Sequence, residues 1–290
     1  MKEINATLKF EYQPCYCGGG SIEHVYHQTR HRDVIPICRC SNCKTIFLPF
    51  YLTDESLSYY YSEIYRKVKH SDETPESLFH RQAKRGEVLK KLYDSYERSG
   101  KKLSILDYGG ASGGVVSAFD NCDRFVFDFD EKFTDYASSV GIKVIDSLTD
   151  PTLAGKFDVI ILSHVIEHLA KPTEVLEQLK TVLKDDGLIL IATTFAETSI
   201  LRHKIISFLP DIHLAHKYYF TRYSLSRMMR SINLFPVVAE KDWLFVSLNQ
   251  RQAINIRKSL YDTKISKLLV KLNIGIPLYV RKFVSKYIKR

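Results

Sequence analysis

Short apolar runs alternate with longer amphipathic stretches between residues 101 and 250. Apolar runs of this length predict strands, and apolar positions spaced three or four apart predict helices. A continuous run such as Val159–Leu162 is typical of a strand that is buried on both faces of a sheet. The predicted strands are Leu103–Tyr108, Arg124–Asp128, Ile142–Asp146, Phe157–Ser163 and Leu188–Thr193, and the predicted helices are Gly114–Asn121, Glu131–Val140 and Thr173–Lys184. The alternation predicts an α/β domain with a doubly wound sheet.

The same pattern divides the chain into four predicted zones. Residues 1–50 hold most of the cysteines and several short β-like runs, and residues 51–100 are polar and predict a helical connector. Residues 101–250 form the α/β domain. Residues 251–290 form a basic, amphipathic tail.

Charge is concentrated in that tail. The chain has a net charge of +9, yet residues 251–290 alone hold 11 Lys and Arg against one acid. The other zones are therefore close to neutral, which disfavours nucleic acid as a partner of the α/β domain. In the tail, Ile265, Leu268, Leu269 and Leu272 recur at helical spacing. A basic amphipathic helix predicts peripheral contact with an anionic membrane surface, and docking on the α/β domain is the alternative.

The predicted location is the cytoplasm, with contact at the membrane surface through the tail. The N-terminal residues lack the apolar core of a signal peptide, and no run of about 18 apolar residues could cross a bilayer.

Five of the six cysteines lie within the first 43 residues. Clustered cysteines in a cytoplasmic protein predict a metal site rather than disulfides. We predict a structural zinc ion held by Cys15, Cys17, Cys40 and Cys43, because C-x-x-C makes the better knuckle and leaves Cys38 spare. A reduced cluster without metal is the alternative, and His24, His27 and His31 are possible substitute ligands.

A glycine-rich turn follows the first strand of the α/β domain. The strand ends near Asp107, and Gly109, Gly110 and Gly113 lead into a helix. Such glycines let the backbone approach a ligand closely at a helix N-terminus. Asp128 ends the next strand, where a carboxylate can accept hydrogen bonds from a ribose. Asp146 ends the third strand, where an adenine ring would lie.

The order of these motifs, followed by FDVIILSHVIEHL at residues 157–169, resembles class I S-adenosylmethionine-dependent methyltransferases over residues 103–235. The resemblance implies a Rossmann-like sheet of seven strands and S-adenosylmethionine as cofactor. It also implies that Asp107 and the three glycines hold the methionine part, Asp128 the ribose and Asp146 the adenine. Ala111 departs from the family, which commonly has Gly there. A fold that uses NAD, or one that has lost its cofactor, is the alternative.

By the same resemblance, Ser163, His164, Glu167 and His168 face the transferred methyl group. His164 is our first choice of general base, since histidine titrates near neutral pH. Some relatives carry E-x-x-E-H here and bind a divalent ion, but this chain has His164 in place of the first Glu. His216 could complete such a site or act as the base. The alternative is that Glu167 and His168 only brace the loop.

The sequence thus predicts an enzyme that methylates an oxygen, nitrogen or carbon of a small molecule. A zinc ribbon ahead of a methyltransferase domain resembles enzymes of sugar and polysaccharide synthesis, which favours a sugar or glycan precursor as acceptor. An RNA methyltransferase and a non-catalytic adaptor are the alternatives. Polar and aromatic side chains that could line the acceptor pocket are His203, His213, His216, Tyr218, Tyr219 and Trp243.

Overall fold

The computed structural model describes residues 8–18, 22–30, 33–60, 73–97, 100–196, 215–240 and 242–254. The strands are β1 (Phe10–Tyr12), β2 (Ile22–Arg30), β3 (Asp33–Cys40), β4 (Ile46–Phe47), β5 (Phe50–Leu52), β6 (Leu103–Tyr108), β7 (Cys122–Phe127), β8 (Lys143–Val144), β9 (Phe157–Ser163), β10 (Leu183–Ala192), β11 (Tyr218–Tyr219), β12 (Phe235–Glu240) and β13 (Trp243–Ser247). The helices are α1 (Asp54–Tyr59), α2 (Pro75–Tyr96), α3 (Gly114–Ser117), α4 (Glu131–Ser139), α5 (Pro172–Val182) and α6 (Arg222–Ser231).

Seven strands form the central sheet in the order β12-β13-β10-β9-β6-β7-β8. Strands β10, β9, β6, β7 and β8 are parallel, and β13 is antiparallel to both β10 and β12. Because the crossovers of parallel strands need helices, this order places helices against the sheet. The predicted α/β class and the seven-stranded sheet are confirmed.

Each face of the sheet has its own hydrophobic core. In β9, Val159 and Ile161 pack into one core, while Ile160 and Leu162 pack into the other. This follows from the alternation of side chains along a strand. Leu89 and Ala137 bring α2 and α4 into the first core, whereas Leu179, Met228 and their neighbours bring α5 and α6 into the second. Helices therefore cover both faces, as a doubly wound fold requires.

Six of the eight predicted elements differ from their predicted bounds, and three of these differences are described here. Helix α3 ends at Ser117 instead of Asn121, whose φ of 50° turns the chain toward β7. Strand β8 is reduced to Lys143–Val144, since it lies at the edge and pairs only with β7. Strand β10 begins at Leu183 instead of Leu188, and its pairing with β9 has an irregularity between these two residues.

The N-terminal residues form two small sheets. One has the order β11-β4-β3-β2, and the other pairs β1 with β5. Strand β11 is distant in sequence, since it follows β10, and it pairs with β4. The predicted boundary at residue 50 falls at the first residue of β5. We call residues 8–18 and 22–52, as far as they are described, the cysteine module.

Of the helices in the described ranges, none is long and apolar enough to cross a membrane. The tail beyond residue 254 lies outside the described residues, as do His31, His203, His213 and the side chains of His24 and His27.

Candidate active site

The glycine-rich turn joins β6 to α3 at the carboxyl edge of the sheet. Gly109 N donates to Phe127 O at 2.7 Å, and Gly113 N donates to Gly110 O at 2.9 Å. Gly109 and Gly113 have φ angles of 70° and 75°, the left-handed conformation that favours glycine. A Cβ on Gly110 would lie 2.5 Å from Cγ of Asp107. These glycines therefore keep the backbone open beside the carboxylate of Asp107.

Asp107 is a buried acid, with only 1% of its surface exposed. Among the described residues, neither of its carboxylate oxygens has a hydrogen bond of normal geometry. Burial raises its pKa to about 7, although the backbone N–H of Val116 and the charge of Arg85 act in the opposite direction. A buried carboxylate in this state destabilises the fold, and it suits a site that a cationic ligand completes.

Asp128 follows β7 and accepts two backbone hydrogen bonds. Its Oδ2 accepts from Ala111 N at 2.9 Å, and its Oδ1 accepts from Asp130 N at 3.1 Å. Ala111 has a φ of 47°, so the residue that departs from the family takes the left-handed conformation that Gly would adopt readily. The strain of about 1–2 kcal/mol is opposed by the bond to Asp128. Asp146 is exposed, two residues beyond β8.

Phe129 is an aromatic side chain that the sequence analysis missed. It follows Asp128 directly and is 88% exposed, with its ring 5.2 Å from that of Phe127 in an edge contact. A large exposed aromatic ring beside the acid that was predicted to bind a ribose is suited to cover a flat ligand such as adenine. The signal in the sequence is its position immediately after the acid.

Arg85 was also missed. It lies on α2, and its Nη1 donates to Ser163 Oγ at 3.3 Å. Burial lowers its pKa, as does the charge of Arg81, while Glu167 and Asp107 act to raise it. This places a cation between the glycine-rich turn and the end of β9. The signal is that Arg85 is on the helical stripe of Leu89 and Tyr93, which is otherwise apolar and buried.

His164 and Glu167 form a hydrogen-bonded pair after β9. His164 Nδ1 lies 3.3 Å from Glu167 Oε1, and the side chains are 34% and 2% exposed. Because a carboxylate accepts, Nδ1 carries the proton and Nε2 is left to act as a base. Burial raises the pKa of Glu167, but the hydrogen bond and charge of His164 and the charge of His168 outweigh burial and lower it. His164 has a φ of 58°, a strained conformation of the kind that clusters at active sites.

His168 and His216 complete the cluster. His168 Nδ1 donates to Ala215 O at 2.8 Å, and the two imidazole rings are 4.6 Å apart. One ligand atom from each of Glu167, His168 and His216 lies within 4.8 Å of the others, which is close enough to share a metal ion. The structure thus brings the four predicted catalytic residues together beside the predicted cofactor edge.

Comparison with known proteins decides the family. A family model described as a methyltransferase domain matches residues 76–238, which is more than half of the chain. The chain belongs to this methyltransferase family. It is an S-adenosylmethionine-dependent methyltransferase, as the sequence predicted.

The chain is also similar to solved structures, two of which follow. PH0226 from Pyrococcus horikoshii is 16% identical, with a TM-score of 0.48 over 66% of this chain and 98% of that one. The plantazolicin methyltransferase BpumL, solved in complex with a monoazolic desmethylPZN analog and S-adenosylhomocysteine, is 20% identical, with a TM-score of 0.47 over 61% of this chain and 73% of that one. No curated protein sequence matches the methyltransferase.

The four cysteines predicted as ligands lie together in the cysteine module. Cys15 Sγ is 3.3 Å from Cys43 Sγ, Cys17 Sγ is 3.5 Å from Cys40 Sγ, and all four sulfur atoms lie within 4.8 Å of one another. Tetrahedral zinc with bonds of about 2.3 Å needs sulfur atoms about 3.8 Å apart. The spacing therefore fits such an ion.

Each pair of cysteines is on a tight turn. Gly18 N donates to Cys15 O at 2.9 Å, and Lys44 N donates to Cys40 O at 3.1 Å. Gly18 and Lys44 both have positive φ, which closes the two knuckles. Cys38 is not in the cluster, and burial raises its pKa to about 11, as expected of a neutral thiol.

Proposed function

We propose that this methyltransferase transfers a methyl group to a hydroxyl of a small molecule, with His164 as general base. The hydrogen bond between His164 and Glu167 carries the proposal. When bound, S-adenosylmethionine supplies a methyl group that is already activated on a sulfonium. A hydroxyl is a weak nucleophile, so a base is needed to remove its proton during transfer.

Glu167 orients that base. It accepts the Nδ1 proton of His164 and so holds the tautomer in which Nε2 can take a proton. Because Glu167 is buried and its pKa is lowered, it stays ionised and stabilises the imidazolium that forms. The partial exposure of His164 leaves the ring accessible to an acceptor.

The residues at the cofactor edge fit the polar groups of S-adenosylmethionine. The carboxylate of Asp107, which makes no hydrogen bond of normal geometry among the described residues, would bind the amino group, and Arg85 would bind the carboxylate of the ligand. Asp128 would hold the ribose and Phe129 would cover the adenine. The open glycines at 109, 110 and 113 would let the methionine part lie against the backbone. Asp146 beside the adenine and Ser163 beside the methionine remain predictions.

A sugar or glycan precursor is the acceptor class that we prefer, as the sequence suggested. We would test it with methyl-labelled S-adenosylmethionine and a panel of sugar nucleotides and other polyhydroxylated compounds. We expect label in one of these compounds with the wild type and at least 100-fold less with His164→Gln. Equal transfer by the two proteins would refute His164 as the base.

A divalent cation held by Glu167, His168 and His216 is the second mechanism that we propose. Three observations favour it: the close ligand atoms, the bond from His168 Nδ1 to Ala215, and the buried Glu167 Oε2, which has no partner among the described residues. A hydrogen bond at Nδ1 is the usual way to orient a histidine that ligates through Nε2. A cation there would bind the acceptor oxygen and lower its pKa.

Equilibrium dialysis with Mn²⁺ tests this second mechanism. Beyond any ion held by cysteine, it should find one bound ion in the wild type and none in Glu167→Gln. No binding in the wild type would exclude this mechanism.

We also propose that Cys15, Cys17, Cys40 and Cys43 hold a structural zinc ion. The four converging sulfur atoms and the two knuckles support it.

Peripheral contact of the tail with a membrane is retained as a proposal, on the charge of the tail and the spacing of its apolar residues alone. Flotation with anionic vesicles tests it, and the full chain should lose binding when truncated after residue 254.

A further inference from the structure

The cysteine module contacts the catalytic cluster largely through residues 215–219. Leu48 N donates to Lys217 O at 2.9 Å, and β4 pairs with β11 so that Tyr218 lies opposite Phe47. Tyr51 Oη donates to Ala215 O at 3.1 Å. His216 lies between Ala215 and Lys217, whose carbonyl oxygens accept these hydrogen bonds. The peptide carbonyls on both sides of this histidine thus accept hydrogen bonds from the module.

The same contacts reach His168. Ala215 O accepts both the Nδ1 proton of His168 and the hydroxyl of Tyr51. His168 O lies 3.4 Å from that hydroxyl. Tyr51 is fully buried, so water does not replace it at these carbonyls. One hydroxyl from the module therefore lies against the backbone of both histidines.

The backbone of Glu167 is attached to the same segment. Lys217 N donates to Glu167 O at 2.9 Å, and Tyr218 N lies 3.2 Å from the same oxygen. Lys217 is completely buried, with its Nζ 5.0 Å from the centre of the Tyr51 ring and in a hydrogen bond to Gln13 of the module. A buried ammonium group needs opposite charge nearby. Four thiolates around a zinc ion would leave a net negative charge in the module, which would suit Lys217.

Both cysteine knuckles are connected to residues 215–219, the first by ring packing and the second through strand β4. Tyr16, between the two ligands of the first knuckle, packs its ring 5.8 Å from Tyr218 and 6.1 Å from Phe220. Strand β4 begins only three residues after Cys43 in the second knuckle. The position of the cysteines therefore fixes the position of β4 and, through it, of β11.

We propose that the cysteine module positions His168 and His216, and that the hydroxyl of Tyr51 fixes the orientation of these two histidines. This rests on the proposed function of those histidines. Metal held by the cysteines would then affect methyl transfer only indirectly, through the position of residues 215–219. The module is thus a part of the active site and not a separate attachment.

The test uses full-length protein labelled with ¹⁵N-histidine, in wild type, Tyr51→Phe and a control, Tyr93→Phe. Tyr93 is also a buried tyrosine, but it lies on α2, in the core that contains Leu89 and Val159. Resonances of the ten histidines can be assigned with single His→Gln variants. We expect Tyr51→Phe to shift the ring resonances of His168 and His216 and not that of the exposed His80, with zinc content and affinity for S-adenosylhomocysteine unchanged. Unshifted resonances, or equal shifts in Tyr93→Phe, would overturn the proposal.

Hydrogen exchange in the wild type is a second test, which no folding defect of a variant can obscure. We expect the amides of Leu48, Lys217 and Tyr218 to exchange as slowly as those of β9, and rapid exchange would overturn the proposal. Wild type that binds no S-adenosylhomocysteine would instead refute the proposed function, and the histidine resonances would still decide the positioning role.

Discussion

His164 Nδ1 lies 3.3 Å from Oε1 of the buried Glu167, and this pair is positioned at the end of the central strand β9. The backbone of His164 is strained there, with a φ of 58°, and its N–H donates to Ala192 O at 2.9 Å. This hydrogen bond to β10 holds the strained residue in place. A side chain held in this way is preorganised to act as a base.

Glu167→Gln should lower methyl transfer by about 10- to 100-fold, because an amide cannot stabilise the imidazolium of His164 as a carboxylate does. Affinity for S-adenosylhomocysteine should not change. Rates are to be measured with the acceptor that takes up label. Glu174→Gln is the control, since Glu174 is an exposed acid on α5. A variant as active as the control would leave Glu167 with only a bracing role.

The free energy of unfolding of cofactor-free Asp107→Asn, relative to that of the wild type, should be about 1–3 kcal/mol more favourable to the variant at pH 8 than at pH 5. Burial raises the pKa of Asp107 from an ordinary 3.8 to about 7. The folded protein thus binds this proton more tightly than the unfolded chain does. The wild type therefore loses stability as the pH rises from about 4 to 7, and a residue that does not ionise escapes that loss.

Chemical denaturation at the two pH values measures this effect. Asp128→Asn is the matched control and should destabilise the protein, because both oxygens of Asp128 accept backbone hydrogen bonds. A stability difference between Asp107→Asn and wild type that is the same at both pH values would contradict the buried, ionisable state of Asp107.

Arg85→Gln should weaken binding of S-adenosylhomocysteine by about tenfold, since a charge-assisted hydrogen bond to the ligand carboxylate is lost. Arg81→Gln should have no such effect. Arg81 lies one turn earlier on α2 and is paired with Glu73 at 2.7 Å, near the surface. Calorimetry on the two variants compares them directly, and equal affinities would remove Arg85 from the cofactor site.

Cys43→Ser should abolish zinc binding and lower the unfolding temperature, whereas Cys38→Ser should retain one zinc ion per chain. Cys38 is buried as a neutral thiol outside the cluster of four sulfur atoms. Metal analysis of the purified proteins measures the difference. Loss of zinc from Cys38→Ser, with zinc retained by Cys43→Ser, would mean that the ligand set is different.

The central strands could be predicted to the residue. Leu103–Tyr108 and Phe157–Ser163 were predicted with the bounds that β6 and β9 have. Both strands are buried on two sides, so an apolar run marks the middle of each, Ile105–Leu106 in β6 and Val159–Leu162 in β9. The length of β8 was overestimated. This edge strand pairs only with β7, and an apolar residue such as Ile145 is buried although it lies beyond the last paired residue.

Contacts between distant parts of the chain could not be predicted. Strand β11 has two residues, Tyr218 and Tyr219, and exists only because β4 lies beside it. Arg85 looks like any charged residue on a long helix until α2 is packed over the glycine-rich turn. The motifs of Asp107, Asp128 and His164 could be read because local spacing places each of them at the end of a strand.

The central claim is the cofactor site, and calorimetric titration of the zinc-loaded protein with S-adenosylhomocysteine tests it most directly. We expect one-to-one binding with a micromolar dissociation constant, which rises at least tenfold in Asp128→Ala because the ribose loses its acceptor. Folded protein that binds no S-adenosylhomocysteine, or Asp128→Ala with unchanged affinity, would contradict the account.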